Sequence, residues 1–170
     1  MKKILLVTLL AIGLQLGLQT SARAGFAEGA SAYNARNYAL ALKEISPLAK
    51  AGNPDAQHLL GLMYYMGRGV TRDYKQAFAW HLKAAEQGKA DAQYVVGAMY
   101  YTGNAVPQDA VLAYMLYNLA AAGGHRNAVE QRAAIAKKMT QEQVEEAQAL
   151  SRTWKVGTAL PVASKTGANL

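Results

Sequence analysis

The sequence predicts an all-α fold, a solenoid of short helical hairpins, and three observations carry that prediction. The ten residues from Gly61, GLMYYMGRGV, return from Gly97 as GAMYYTGNAV, thirty-six positions on. The offset holds beyond them: Ala56, Gly61, Tyr64, Gly67, Ala77 and Gly88 recur as Ala92, Gly97, Tyr100, Gly103, Ala113 and Gly124. A period of this length marks a supersecondary unit that buries its apolar face by stacking on copies of itself. Composition agrees, because alanine, leucine, glutamine and lysine are abundant and only four prolines interrupt them, a balance that favours helices over strands.

In chain order, the first element is a targeting segment. Lys2 and Lys3 precede an apolar stretch from Ile4 to Leu18, and small residues close it at Ala22-Arg23-Ala24. This is the pattern of a secretory signal peptide cleaved after Ala24. About fifteen apolar residues fall short of a spanning helix, and with no cysteine in the chain there is no site for lipid attachment. Cleavage removes three of the eighteen basic residues and no acidic one, leaving fifteen against eleven and a formal charge of +4. So modest a charge, with no basic run, speaks against nucleic acid as a partner. The expected location is the periplasm or the exterior, with membrane contact only through a partner. The remaining chain fits one domain, held by packing alone because disulfides are impossible.

Each unit reads as a helical hairpin. The first helix begins near Pro54 or Ala90, with Asn53 placed to cap it, and ends at the Gly67 or Gly103 loop. The second starts near Asp73 or Asp109, acids suited to a first turn, and stops at Gly88 or Gly124. Ala56, Leu60 and Tyr64, or Ala92, Val96 and Tyr100, fall at four-residue spacing and form one buried stripe. Gly61 and Gly97 sit inside a helix at a cost of about 1 kcal/mol relative to alanine, which suggests that a neighbouring helix passes too close for a side chain. Tyr64 and Tyr100, one turn on, fill the space between hairpins.

A degenerate unit comes first. Tyr38, Ala41, Ala49 and Gly52 align with Tyr74, Ala77, Ala85 and Gly88 at thirty-six, whereas Gly29 and Tyr33 align with Gly61 and Tyr65 at thirty-two. The loop near Asn34 to Asn37 is therefore four residues shorter. Glu28 stands where Leu60 is apolar, as suits a terminal unit. After the repeats, Arg126 to Lys138 continues as a half-unit, and Thr140-Gln141-Glu142-Gln143 has capping-box spacing for a last helix. Val144, Ala147, Leu150 and Trp154 line one face of that helix, a lid over the last repeat. The units span about 25–52, 53–88 and 89–124, the half-unit and cap 125–155, and 156–170 reads as a flexible tail.

The pattern resembles the Sel-one-like repeat, a branch of the tetratricopeptide superfamily. The resemblance rests on Ala56-Gln57, Leu60-Gly61, Tyr64, Gly67-Arg68-Gly69-Val70, Asp73-Tyr74, Ala77, Trp80, Ala84-Ala85, Gly88 and Ala92. It implies a right-handed α/α solenoid with a C-terminal capping helix, and scaffolding or regulation in a bacterial cell envelope. The third unit departs from it, with Asn104-Ala105 for Arg68-Gly69, which predicts a less regular loop there.

Residues for catalysis are wanting. His58, His81 and His125 have no metal-type spacing, and helical geometry predicts that His58 and His81 point apart. Gly67-Arg68-Gly69 follows no strand and ends at Arg72, so it is a turn between helices. No Ser-x-x-Lys motif occurs, since Ser46 precedes Lys50 and Ser151 precedes Trp154. A cysteine-rich branch of the family is linked to penicillin binding, but the chain lacks both cysteine and those serine motifs. Glu145 and Glu146, near Lys137 and Lys138, read as solvated charges. The chain is expected to be no enzyme and to need no cofactor or metal.

Packing explains one tyrosine of each pair and leaves the other. Tyr65 and Tyr101 fall about 100° around the helix from their buried neighbours, with Tyr33 at the equivalent place in the first unit. One turn earlier the same face carries Phe26, His58 and Tyr94, and between the rows lie Ala30, Leu62 and Ala98. In solenoids of this superfamily that side lines the concave groove. Two readings stand: a tyrosine-lined groove that binds an envelope protein or peptide, or rings that shield the second-helix layer or the C-terminal segment. Aromatic rows also stack on sugars, so a glycan or peptidoglycan ligand is the alternative partner.

Overall fold

A computed structural model describes residues 23–161, and these contain eight helices and no strand. Residues 23–34 form α1, followed by α2 (Tyr38–Lys50), α3 (Pro54–Met66), α4 (Tyr74–Glu86), α5 (Ala90–Thr102), α6 (Ala110–Ala122), α7 (Arg126–Ala136) and α8 (Gln141–Thr153). The expected signal segment up to residue 22, and residues 162–170 of the expected tail, lie outside the described residues.

The helix starts follow from local chemistry. Asn53 Oδ1 accepts the Ala56 amide at 2.9 Å ahead of Pro54, the Asp73 carboxylate accepts the Lys75 and Gln76 amides at 2.9 and 3.0 Å, and Asp109 accepts that of Leu112 at 2.9 Å. Each satisfies donors that a helix start leaves without an intrahelical partner. Thr140 and Gln143 form the reciprocal capping box at the start of α8. Between α1 and α2 only residues 35–37 intervene, against 67–73 between α3 and α4, which is the four-residue contraction read from the repeat offsets.

Successive helices pack antiparallel, α3 on α4 and α5 on α6, while α4 against α5 joins one hairpin to the next. The two long turns share a lock: the Asp73 amide donates to the Tyr64 carbonyl, and the Asp109 amide to that of Tyr100, both at 3.0 Å. The loop of the third unit is as regular as that of the second. Gly69 has φ +74°, and Ala105 holds the same left-handed conformation at φ +70°. The backbone bond from Asn104 to Met99, at 3.0 Å, repeats that from Arg68 to Met63, at 2.9 Å, so the hairpin imposes the turn on an alanine at a cost of roughly 1 kcal/mol or more.

Gly61 and Gly97 are close-approach positions, but a ring rather than a helix backbone comes near. A Cβ on Gly61 would lie 2.9 Å from the ring of His81, and one on Gly97 3.1 Å from the ring of Tyr117. At Gly29 the corresponding contact is Ile45, at 2.7 Å. Ile45, His81 and Tyr117 are themselves spaced by thirty-six. Each unit thus drives one second-helix side chain into a notch left by a first-helix glycine.

At the C-terminal end, α7 and α8 both pack against α6. Val144, Ala147, Leu150 and Trp154 meet the buried face that contains Val111 and Met115. Beyond α8, where the tail was expected to begin, residues 156–161 turn back along the solenoid. The Gly157 amide donates to the Glu86 carbonyl at 2.7 Å and the Leu160 amide to the Glu86 carboxylate at 3.2 Å. Val156 reaches Gly88, and Leu160 packs against the cluster of Ala84, Ala85 and Leu116.

Candidate functional site

The first helices of the hairpins bring the expected residues to one surface. A depression of about 280 Å³ lies between α1 and α3, lined by Phe26, Ala30 and Tyr33 on one side and Asp55, His58 and Leu62 on the other, with Lys89 at its margin. A second, of about 290 Å³, lies between α3 and α5, where Leu62, Tyr65 and Met66 face Tyr94, Val95, Ala98 and Met99. Leu62 is the wall between them. Tyr33, Tyr65 and Tyr101 are all half-buried.

Tyr101 belongs to neither depression. Its hydroxyl accepts from Lys138 Nζ at 2.7 Å, and the ammonium also lies 5.4 Å from the ring centroid. The other two tyrosines have neighbours of a similar kind. Arg68 donates to the Tyr33 hydroxyl and stacks over Tyr33 and Tyr38. Tyr65 meets the ring of Tyr74 edge-on at 5.2 Å, and Arg72 lies over Tyr74. Cation–π contacts of this kind hold aromatic rings upright at a surface.

The opposite margin is polar. Lys89 Nζ bridges Asp55 at 2.9 Å and Asp91 at 3.1 Å. Chiefly the hydrogen bond to Asp55 holds the ammonium above its ordinary range. His125 stacks on Tyr94, ring centroids 4.1 Å apart and 16° from parallel.

His58 and His81 do not point apart. Their rings are 4.9 Å from each other, because the notch at Gly61 lets the α4 side chain reach through to α3. His81 is fully buried beneath the α3/α5 depression, and neither of its ring nitrogens has a hydrogen-bond partner. Burial, and then the neighbouring His58, lower its pKa from 6.5 to about 3. Burial lowers that of His58 too. Both rings are neutral at physiological pH. Among the described residues no group of three or more His, Asp or Glu side chains converges to hold a metal ion.

Sequence reasoning missed Met66, His81, Val95, Met99, Thr102 and Asn104 as lining residues of the α3/α5 depression. The signal for His81 was present in the pairing of Gly61 with a ring at the position that Tyr117 occupies one repeat later. Met99 and Val95 carry no polar signal and look like any core residue of a helix.

The family model of the Sel1 repeat matches residues 54–89 and 90–125. A protective antigen present in uropathogenic Escherichia coli strains, which displays an SLR fold, superimposes with a TM-score of 0.75 at 32% identity, covering 81% of this chain and 30% of its own. A Sel1 repeat protein from Oxalobacter formigenes superimposes with a TM-score of 0.60 at 34% identity, covering 63% of this chain and 44% of its own. The chain thus spans less than half the length of either neighbour. No curated protein matches it. With two matched repeats, the glycine-notched hairpins and neighbours of the same fold, the chain belongs to the Sel1-like repeat proteins.

Proposed function

We propose that the protein is a non-catalytic interaction module of the bacterial cell envelope, and that it holds a partner protein or peptide on the face built by α1, α3 and α5. Sel1 repeats in general mediate contacts between proteins. The observation that carries the reading here is the pair of adjoining depressions on that face, lined by Phe26, Tyr33, His58, Leu62, Tyr65 and Tyr94. Half-exposed aromatic rings held by neighbours offer contact area with few rotors left to freeze, which suits a binding surface. The signal-like segment of the sequence supports the envelope as the setting.

Affinity capture from envelope extract, run beside a variant with Tyr33, Tyr65 and Tyr101 changed to alanine, tests the reading. Each anchor at a true hot spot contributes about 2 kcal/mol or more, so the variant is expected to lose the partner while keeping its helicity. Equal capture by both would place the binding face elsewhere. Retention on purified sacculi, with no loss after the extract is treated with protease, would instead favour a peptidoglycan ligand.

A further inference from the structure

We infer that the α3/α5 depression is a pocket for one bulky apolar side chain of a partner segment, a leucine, methionine or phenylalanine, with acidic residues of that segment lying at the turn-side end of the helices. The inference rests on the proposed binding face and names the chemistry of what it receives.

Leu62, Tyr65, Met66, Tyr94, Val95, Ala98 and Met99 give the pocket mostly apolar walls, Thr102 and Asn104 add two neutral polar side chains, and no acidic or cationic side chain lines it. Ala98 is the small residue among them, and its missing bulk leaves the room. The His81 ring below is uncharged, and both its nitrogens are buried. An anion would therefore find no charge partner in the floor, whereas an apolar group displaces only weakly held water. Met66, at the rim, is half exposed for a large apolar residue.

The charge around the pocket is divided. At the turn-side end Arg68 and Lys138 donate to the Tyr33 and Tyr101 hydroxyls, and Arg72 lies over Tyr74, the ring that meets Tyr65. Among the described residues none of these three cations lies within ion-pair distance of a carboxylate. The carboxylate nearest to Arg68 and Arg72 in sequence, Asp73, is engaged in capping α4. At the other end, Asp55 and Asp91 already bracket Lys89. Acidic residues of a ligand thus have partners at one end and repulsion at the other, and that asymmetry sets the direction of the segment.

The test uses the full chain purified after export and a set of labelled twelve-residue Gly/Ser peptides. Each carries one central Leu, Phe or Ala and two Glu or two Lys on one side of it. Anisotropy is expected to show the Glu peptides with Leu or Phe binding about tenfold or more tighter than those with Ala, the worth of burying one such side chain. The Lys versions should bind more weakly than the Glu versions. Ala98→Phe, which fills the pocket from within, should remove the preference for Leu over Ala. Arg72→Glu with Lys138→Glu should reverse the preference for Glu over Lys.

Methionine methyl NMR on the unmodified protein gives a second readout. The Glu/Leu peptide should shift the Met66 and Met99 signals and leave those of Met63 and Met115 in place. No binding by any peptide, indifference to the central side chain, or shifts confined to other methionines would overturn the inference. If Ala98→Phe still captures a partner that the triple tyrosine variant loses, the face is the binding site and the pocket is not its anchor. Equal capture by the triple variant would instead remove the face itself.

Discussion

The second and third repeats share one template and differ in the character of their outer helices. In α4, Lys75, Gln76, Ala79 and Lys83 are exposed. Their counterparts thirty-six residues on in α6 are Val111, Leu112, Met115 and Leu119, of which the first three are fully buried and the fourth half-buried. The hairpin backbone is the same, so the change is imposed by the next two helices of the chain: α7 and α8 both pack on α6, and of its residues only Ala122, at the C-terminal end, is exposed. A helix that is apolar on all sides must be buried on all sides. The solenoid therefore ends where the sequence turns an outer face apolar, and the capping helix is part of the same decision.

Substitution at the matched positions is expected to break that comparison most strongly. Met115→Ala should cost about 2–5 kcal/mol, as for a fully buried methionine, while Ala79→Met at the matching site should change stability by less than about 0.5 kcal/mol. Urea denaturation of the two variants measures both. Similar effects at both positions would mean that α8 does not seal α6 as described.

The notch residues come next in size. The folded state holds His81 with its pKa near 3, below the ordinary 6.5, so the unfolded chain takes up a proton first and stability falls as pH drops below about 6.5. Between pH 7 and pH 5 the loss from His81 is roughly 2 kcal/mol, and His58, lowered in the same direction, adds to it. His81→Ile, which copies the first unit's Ile45, should flatten the pH profile in this window. Melting temperatures of the two proteins at pH 5 and pH 7 read the difference.

The turns give the smaller effects. Gly69→Ala places a side chain at φ +74° and 2.8 Å from the Tyr38 carbonyl oxygen, and should cost about 1–2 kcal/mol. The reverse change in the third unit, Ala105→Gly, should stabilise by up to about 1 kcal/mol, the relief of left-handed strain less the glycine's added chain entropy. Opposite signs at matched positions would show that the hairpin, and not the residue, sets this turn.

Much of this was legible in the sequence because the repeat states it twice. Asn53, Asp73, Asp109 and Thr140 announce helix starts through short-range bonding that a single sequence shows, and the shortened first loop follows from two unequal offsets. The content of the notch was not legible in the same way. Gly61 says that something approaches, but only the packing of α4 on α3 decides that it is a ring of the same hairpin, and so the two histidines meet. The regular turn at Ala105 was hidden for a related reason, since local propensity opposes it and the hairpin's backbone bonds overrule it. The path of residues 156–161 depends on Glu86, some seventy positions away, and no local pattern marks such a contact. For the candidate face, the aromatic rows were readable from helical spacing, whereas the pocket needed the relative placement of α3 and α5.

Photo-crosslinking in cells tests the central claim most directly. A photoreactive phenylalanine analogue is placed at half-exposed Met66, on the rim of the α3/α5 depression, and, in a second protein, at exposed Ala79 on the outer face of α4. The account predicts a discrete crosslinked partner from position 66 and none from position 79. The same partner captured from position 79 alone would contradict it and move the interaction to the opposite side of the solenoid.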